Sequence, residues 1–113
     1  MRKIPICMTV KNDIKNIRRC LESIKAQTHP NILIVNDAFS SDGTFQIVKR
    51  YADIVLRKKT TIAEGRNLVL DYALKNFRTK YIGMVNSDVI LPKDWLKKAV
   101  RIMEENKKCG ALG

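Results

Sequence analysis

The chain has 113 residues and 45% hydrophobic content, enough for one domain with a modest core and too much for a disordered chain. Its formal net charge is +11. A basic surface attracts nucleic acid, acidic lipid or anionic small molecules, but Lys and Arg are spread over several segments, with Arg57-Lys58-Lys59 the one run of three, so charge ranks these partners weakly.

Met1-Arg2-Lys3 leads into the apolar-leaning run Ile4 to Val10, which predicts a buried first strand. The run is too short to span a membrane, contains Pro5 and lacks a small-residue cleavage site. The chain therefore reads as cytosolic, with any membrane anchor outside it. Ile14, Ile17, Leu21 and Ile24 follow at helical spacing, with Asp13 as the N-cap. Pro30 closes that unit, and Ile32 to Val35 predicts a second strand. Asn36 to Gly43 is a polar turn in which Asp42 reads as a helix cap. Phe45, Ile47, Val48 and Tyr51 predict a second helix, and Ile54 to Leu56 a third strand.

Thr61-Ile62-Ala63-Glu64 fits a capping box. The third helix is expected to run to about Phe77 and to bury Leu70, Ala73, Leu74 and Phe77. Tyr81 to Val85 predicts a fourth, buried strand. Pro92 suits the first position of a fourth helix whose apolar stripe is Trp95, Leu96, Ala99, Val100 and Met103. Cys109 to Leu112 reads as the start of another strand. The three cysteines, Cys7, Cys20 and Cys109, are odd in number and match no metal-binding spacing, so they read as small buried hydrophobes in a reducing compartment. His29 and Trp95 read as structural.

Strands alternating with helices imply an α/β fold with a Rossmann-like, mostly parallel sheet and helices on both faces. Such sheets bind ligands outside the carboxyl ends of their strands. The residues to weigh are therefore Asn12-Asp13, Asn36-Asp37 and Asn86-Ser87-Asp88. No glycine-rich loop follows the first strand, which disfavours dinucleotide and P-loop readings. A phosphate here needs a metal ion or an Arg as counter-charge. Asp88 reads equally as ligand to a magnesium- or manganese-type ion and as a turn cap. Asn86 offers a neutral amide oxygen. Asp37 reads as acceptor for a base N–H or ribose hydroxyl, or as a turn former. Arg66, beside Asn67, reads as reaching a base or phosphate, or as an ordinary surface Arg.

Six segments, in order, resemble glycosyltransferase family 2. Ile6 to Asn12 is similar to its opening strand and loop. Cys20-Leu21-Glu22-Ser23-Ile24 with Gln27-Thr28 resembles its first helix. Val35 to Thr44 is similar to V-x-D-x-x-S-x-D-G-T, and Ala63-Glu64-Gly65-Arg66-Asn67 resembles A-x-A-R-N. Tyr81 to Asp88 sits where D-x-D belongs, and Leu91 to Leu96 resembles the segment after it. The resemblance implies residues 1–113 as the N-terminal, nucleotide-sugar-binding part of a GT-A domain. It implies transfer of a sugar, with inversion, from a nucleotide-diphosphate donor to an acceptor that is a glycan, lipid or protein. It assigns nucleotide binding to Val10, Lys11, Asn12, Asp37, Arg66 and Asn86, and a divalent metal, Mn2+ or Mg2+, to Asp88. No catalytic residue falls in this chain, since the family's general base is expected beyond Gly113. Peripheral association with the inner face of a membrane fits this reading, and specific nucleic-acid binding does not. Asn86 departs from the usual Asp, which weakens the metal and ribose contacts there.

Competing readings are a non-catalytic nucleotide-binding fragment, a basic α/β domain that binds nucleic acid, and a receiver-like domain. The nucleic-acid reading lacks an aromatic stacking platform or recognised motif. The receiver reading wants a lone Asp after the third strand, where Arg57-Lys58-Lys59 stands.

Overall fold

The computed structural model describes residues 3–105; the strand expected at Cys109 to Leu112 lies outside them. Four parallel strands form one sheet in the order β3-β2-β1-β4. β1 (Ile4–Val10) is central and buried at all seven positions, in keeping with a run that is apolar except at Thr9. β2 (Asn31–Asp37) pairs with it along its full length, from Ile4 opposite Asn31 to Val10 opposite Asp37. β2 is longer than the apolar run Ile32 to Val35, because Asn36 and Asp37 are buried polar residues that continue the ladder. β3 (Ile54–Leu56) lies outside β2.

Alternate side chains of the sheet feed two cores. Ile4, Ile6, Met8, Val10, Leu33 and Val35 meet three helices on one face. These are α1 (Ile17–Lys25), α2 (Thr44–Tyr51) and α4 (Trp95–Glu105). Cys7 and Ile34 face α3 (Ile62–Asn76) on the other side. Both faces are thus covered, as expected for a parallel α/β sheet.

Five local expectations are corrected. α1 begins at Ile17, with Asn16 as N-cap and no side-chain cap bond. Asp13 instead closes a turn: its carbonyl accepts from the Asn16 and Ile17 amides, and its carboxylate from Asn16 Nδ2 and Ser87 Oγ. Ile14 is consequently 40% exposed rather than in the core. In α3 the buried row is Gly65, Val69 and Ala73, spaced by four, while Leu74 is 62% exposed and Leu70 and Phe77 only half-buried. Small residues on that row let the helix lie close to β1, which turns the larger leucines outward.

β4 is only Gly83–Met84, pairing with Ile6 and Cys7, and Met84 is 41% exposed. It is an edge strand among the described residues, and the Thr79 hydroxyl turns the chain ahead of it by bonding both the amide and the carbonyl of Tyr81. Pro92 lies three residues before α4 rather than at its first position, and its carbonyl accepts from the Trp95 amide and Gln27 Nε2. Gln27 Oε1 in turn takes the Leu96 amide, so the end of α1 fixes the start of α4. His29 is buried with its Nδ1 beside the Pro30 carbonyl, in keeping with a structural role.

The capping box at α3 is complete: Thr61 Oγ1 accepts from the Glu64 amide at 3.1 Å, and the Glu64 carboxylate from the Thr61 amide at 2.9 Å. Thr61→Ala is expected to cost about 1 kcal/mol, read as a lower urea midpoint at unchanged slope. Cys7 and Cys20 are both buried. Burial pushes the Cys7 thiol up to about 12. The native protein is therefore expected to resist alkylation of Cys7 and Cys20 at pH 8, and to react at both once unfolded, as peptide mass mapping will show.

Candidate functional site at the strand ends

The carboxyl ends of β1, β2 and β4 carry the predicted residues other than Arg66, which lies on α3, and a network of polar bonds holds their loops together. After β1, Asn12 adopts a left-handed backbone (φ 51). Its amide donates to Ser40 Oγ at 2.9 Å, and its Oδ1 accepts from the Ser41 amide at 2.7 Å. Ala38 donates its amide to the Val10 carbonyl. The loops after β1 and β2 are thus one unit. Val10 is buried in the core, so Lys11 and Asn12 are the exposed members of the β1 loop.

Asp37 is fully buried. One carboxylate oxygen accepts from the Ser40 amide at 2.9 Å and the other from Ser40 Oγ at 2.6 Å. Arg57 Nε lies 3.9 Å away and supplies the counter-charge. Asp37 therefore forms a turn and an ion pair, and presents no oxygen to solvent. Asp42 is not the helix cap expected, since the N-cap of α2 is Gly43 with no side-chain cap bond; its carboxylate accepts from the Thr44 amide and hydroxyl and from the Ile14 amide. The hydroxyl bond is the main cause that holds its carboxyl below the usual value.

Buried Asn36 orders the β3–α3 loop. Its Oδ1 accepts from the Lys58 amide, and its Nδ2 donates to the Lys58 carbonyl and to Thr9 and Thr60 hydroxyls. That loop delivers α3, and with it Arg66, to the strand ends. Arg66 donates to Asn86 Oδ1 at 2.6 Å, across 20 residues of sequence. The sequence named both residues but not the bond between them. This bond commits the Asn86 amide oxygen to the guanidinium.

Ser87 donates its hydroxyl to Asp13 at 2.6 Å and ties the β4 turn to the β1 loop. Cys20 donates its thiol to the Asn86 carbonyl at 3.3 Å. Burial is the main cause that pushes this thiol up to about 11; the Val89 backbone opposes the rise, and the charges of Asp88 and Asp13 add to it. The two carboxylates therefore share the neighbourhood of Cys20. Asp88 itself is exposed.

The donor set decides what kind of metal site is possible. Among the described residues no group of three or more His, Cys, Asp or Glu is arranged to hold an ion. A closed protein site of the zinc type does not fit. An ion of the magnesium class, held by one carboxylate with the rest of its shell from phosphate and water, fits Asp88.

Sequence reading missed three residues here. Phe39, in the polar turn after β2, has φ 61 and is 50% exposed. Arg57 lies over its ring at 4.9 Å and over Phe45 at 4.0 Å. Ser40, which satisfies Asp37, was visible only as part of a turn. The one available signal was a large aromatic in an otherwise polar loop. A cavity of about 1020 Å³ lies at the opposite end of the sheet, against Ile4, Tyr81 and α4 residues such as Lys97 and Arg101. None of the candidate residues lines it. No helix among the described residues is long and apolar enough to cross a membrane.

Known proteins place this architecture. The chain is 31% identical over 102 residues to the putative glycosyltransferase EpsH of Bacillus subtilis, covering 87% of this chain and 29% of EpsH. Its fold matches Staphylococcus aureus TarS 1–349 in complex with UDP, with a TM-score of 0.77, 27% identity, and coverage of 94% of this chain and 33% of that one. It also matches the mannosyltransferase PcManGT of Pyrobaculum calidifontis, with a TM-score of 0.74 at 22% identity, covering 89% of this chain and 32% of that one. The chain thus spans about a third or less of the length of these relatives. The fold is that of the GT-A nucleotide-binding half, and the model for glycosyl transferase family 2 matches residues 6–113. The chain belongs to glycosyl transferase family 2.

Proposed function

We propose that the strand-end site binds the nucleotide diphosphate of a sugar donor, together with a divalent metal, and that the protein transfers that sugar with inversion to a glycan, lipid or protein acceptor. The observation that carries this reading is the Arg66–Asn86 bond beside exposed Asp88, in a chain whose fold matches a neighbour bearing UDP. It holds a cation on the residue two positions before an exposed carboxylate, at the carboxyl edge of a parallel sheet, where such folds bind ligands.

Each residue then has a task. Arg66 neutralises phosphate charge, and Asn86 holds its guanidinium in place. Asp88 would hold the metal, which would supply Lewis-acid stabilisation of the charge that develops on the diphosphate. Lys11 and Asn12 border the nucleotide. Asp37 shapes the base end of the site; a base N–H reaches its carboxylate only by taking the place of the Ser40 hydroxyl. Activation of the acceptor hydroxyl needs a general base within hydrogen-bond reach, a task that none of these residues is assigned.

The test is calorimetric titration with uridine, guanosine and thymidine diphosphates, with and without Mn2+. At least one is expected to bind, more tightly with Mn2+. If none binds under either condition, the reading fails.

A further inference from the structure

We infer that Phe39 and Arg57 form a stacking shelf for the nucleobase, at the end of the site remote from Asp88. The inference rests on the nucleotide reading above and adds the part that recognises the base.

Three observations carry it. The first is Phe39 itself. A large aromatic that is 50% exposed loses the benefit of burial, and its φ of 61 adds the strain of a left-handed backbone for a bulky residue. Neither cost helps the fold. Phe39 stands between Asp37 and Ser40 in sequence, in the loop bonded to Asn12.

The second is Arg57. Its guanidinium sits over Phe45 at 4.0 Å and over Phe39 at 4.9 Å, with Nε 3.9 Å from Asp37. Two rings and a buried carboxylate surround a side chain that is still 42% exposed. A guanidinium is planar, and one left partly exposed offers a ligand both stacking surface and N–H donors.

The third is position. Arg57 follows β3, Phe39 follows β2, and Asp88 follows β4, at the far edge of the order β3-β2-β1-β4. Three inter-strand spacings separate the outer strands, roughly 14 Å. That span is comparable to an extended nucleoside diphosphate, with diphosphate at the β4 end and base at the β2–β3 end. Asp37, closed over by Ser40, offers the base no free oxygen, and the ring and the guanidinium are the exposed planar groups at this end.

The experiment compares UDP with inorganic pyrophosphate, both with Mn2+, by calorimetry on the wild-type chain and three variants. Asn tolerates left-handed backbone, so Phe39→Asn removes the ring without straining the loop. It is expected to weaken UDP about tenfold and to leave pyrophosphate unchanged, in line with the effect of removing a base-stacking aromatic. Phe39→Tyr is expected to keep wild-type affinity for both. Arg57→Lys keeps a positive charge beside Asp37 but not the planar group, and is expected to lose several-fold on UDP alone. Equal UDP affinity in Phe39→Asn and wild type overturns the shelf while the nucleotide reading stands. Equal losses on UDP and pyrophosphate also overturn it, since the ring then serves the loop and not the base. Failure of the wild type to bind UDP or any other nucleoside diphosphate removes the nucleotide reading, and the shelf with it.

Discussion

Asp88→Ala is expected to abolish the Mn2+-dependent part of nucleoside diphosphate binding. The size of the effect follows from how little else the site offers. Among the described residues no cluster of three metal-binding side chains exists, and Arg66 already occupies the Asn86 amide oxygen. The nearest alternative is Asp13, whose carboxylate is engaged by Ser87 and Asn16. An ion bridging diphosphate to protein thus depends on one free carboxylate. Its removal should weaken UDP in Mn2+ by at least about tenfold, or ~1.4 kcal/mol. Without Mn2+, affinity should stay the same or improve, because a negative charge beside the diphosphate has gone. The opposite signs separate a metal ligand from a turn former, since a damaged turn would weaken UDP under both conditions. Unchanged Mn2+ dependence in Asp88→Ala would sink the assignment, and Asp13→Asn would then be the variant to measure.

The parallel α/β layering and the burial of β1 follow from features a sequence displays. A run as apolar as Ile4 to Val10 has to be buried on both faces, and β1 is. A complete S/T-x-x-E pattern has to cap something, and Thr61-x-x-Glu64 caps α3. What the sequence conceals is which partner a polar residue takes. Asp13 stands at a plausible N-cap position, yet its carboxylate goes to Ser87, 74 residues away. Arg66 and Asn86 each suggest nucleotide binding singly, but only folding pairs them. Asp37 matches a motif whose residue is expected to face the base, and here Ser40 and Arg57 enclose it. Helix faces hide in a related way. Counting apolar residues in α3 selects Leu70 and Leu74, whereas the contact with β1 selects the smallest residues, because proximity there outweighs the area a leucine would bury.

That close contact sets the last expected result: Gly65→Ala should destabilise the protein, although helix propensity alone predicts the reverse. In an open helix interior the change gains roughly 1 kcal/mol. Here a Cβ on Gly65 would stand 2.8 Å from Thr9 Cβ and 2.9 Å from Thr60 Oγ1, nearer than real carbons approach. Neither neighbour gives way cheaply. Thr9 is β-branched and lies on the central strand, which is paired on both sides. Thr60 is bonded to Asn36, which also holds the Lys58 backbone. The helix has to move instead. Overpacking of this kind costs about 1–3 kcal/mol, so the net change should be a loss of stability, with Tm falling by several degrees. The displaced helix also carries Arg66 away from Asn86, so UDP affinity should fall in the same variant. Leu74→Ala, on the exposed face of α3, is the control: it should change stability by no more than about 0.5 kcal/mol and leave UDP binding alone. A higher Tm for Gly65→Ala would show that α3 sits loosely on β1. In that case the Arg66–Asn86 pair could not be the fixed element on which the diphosphate site depends.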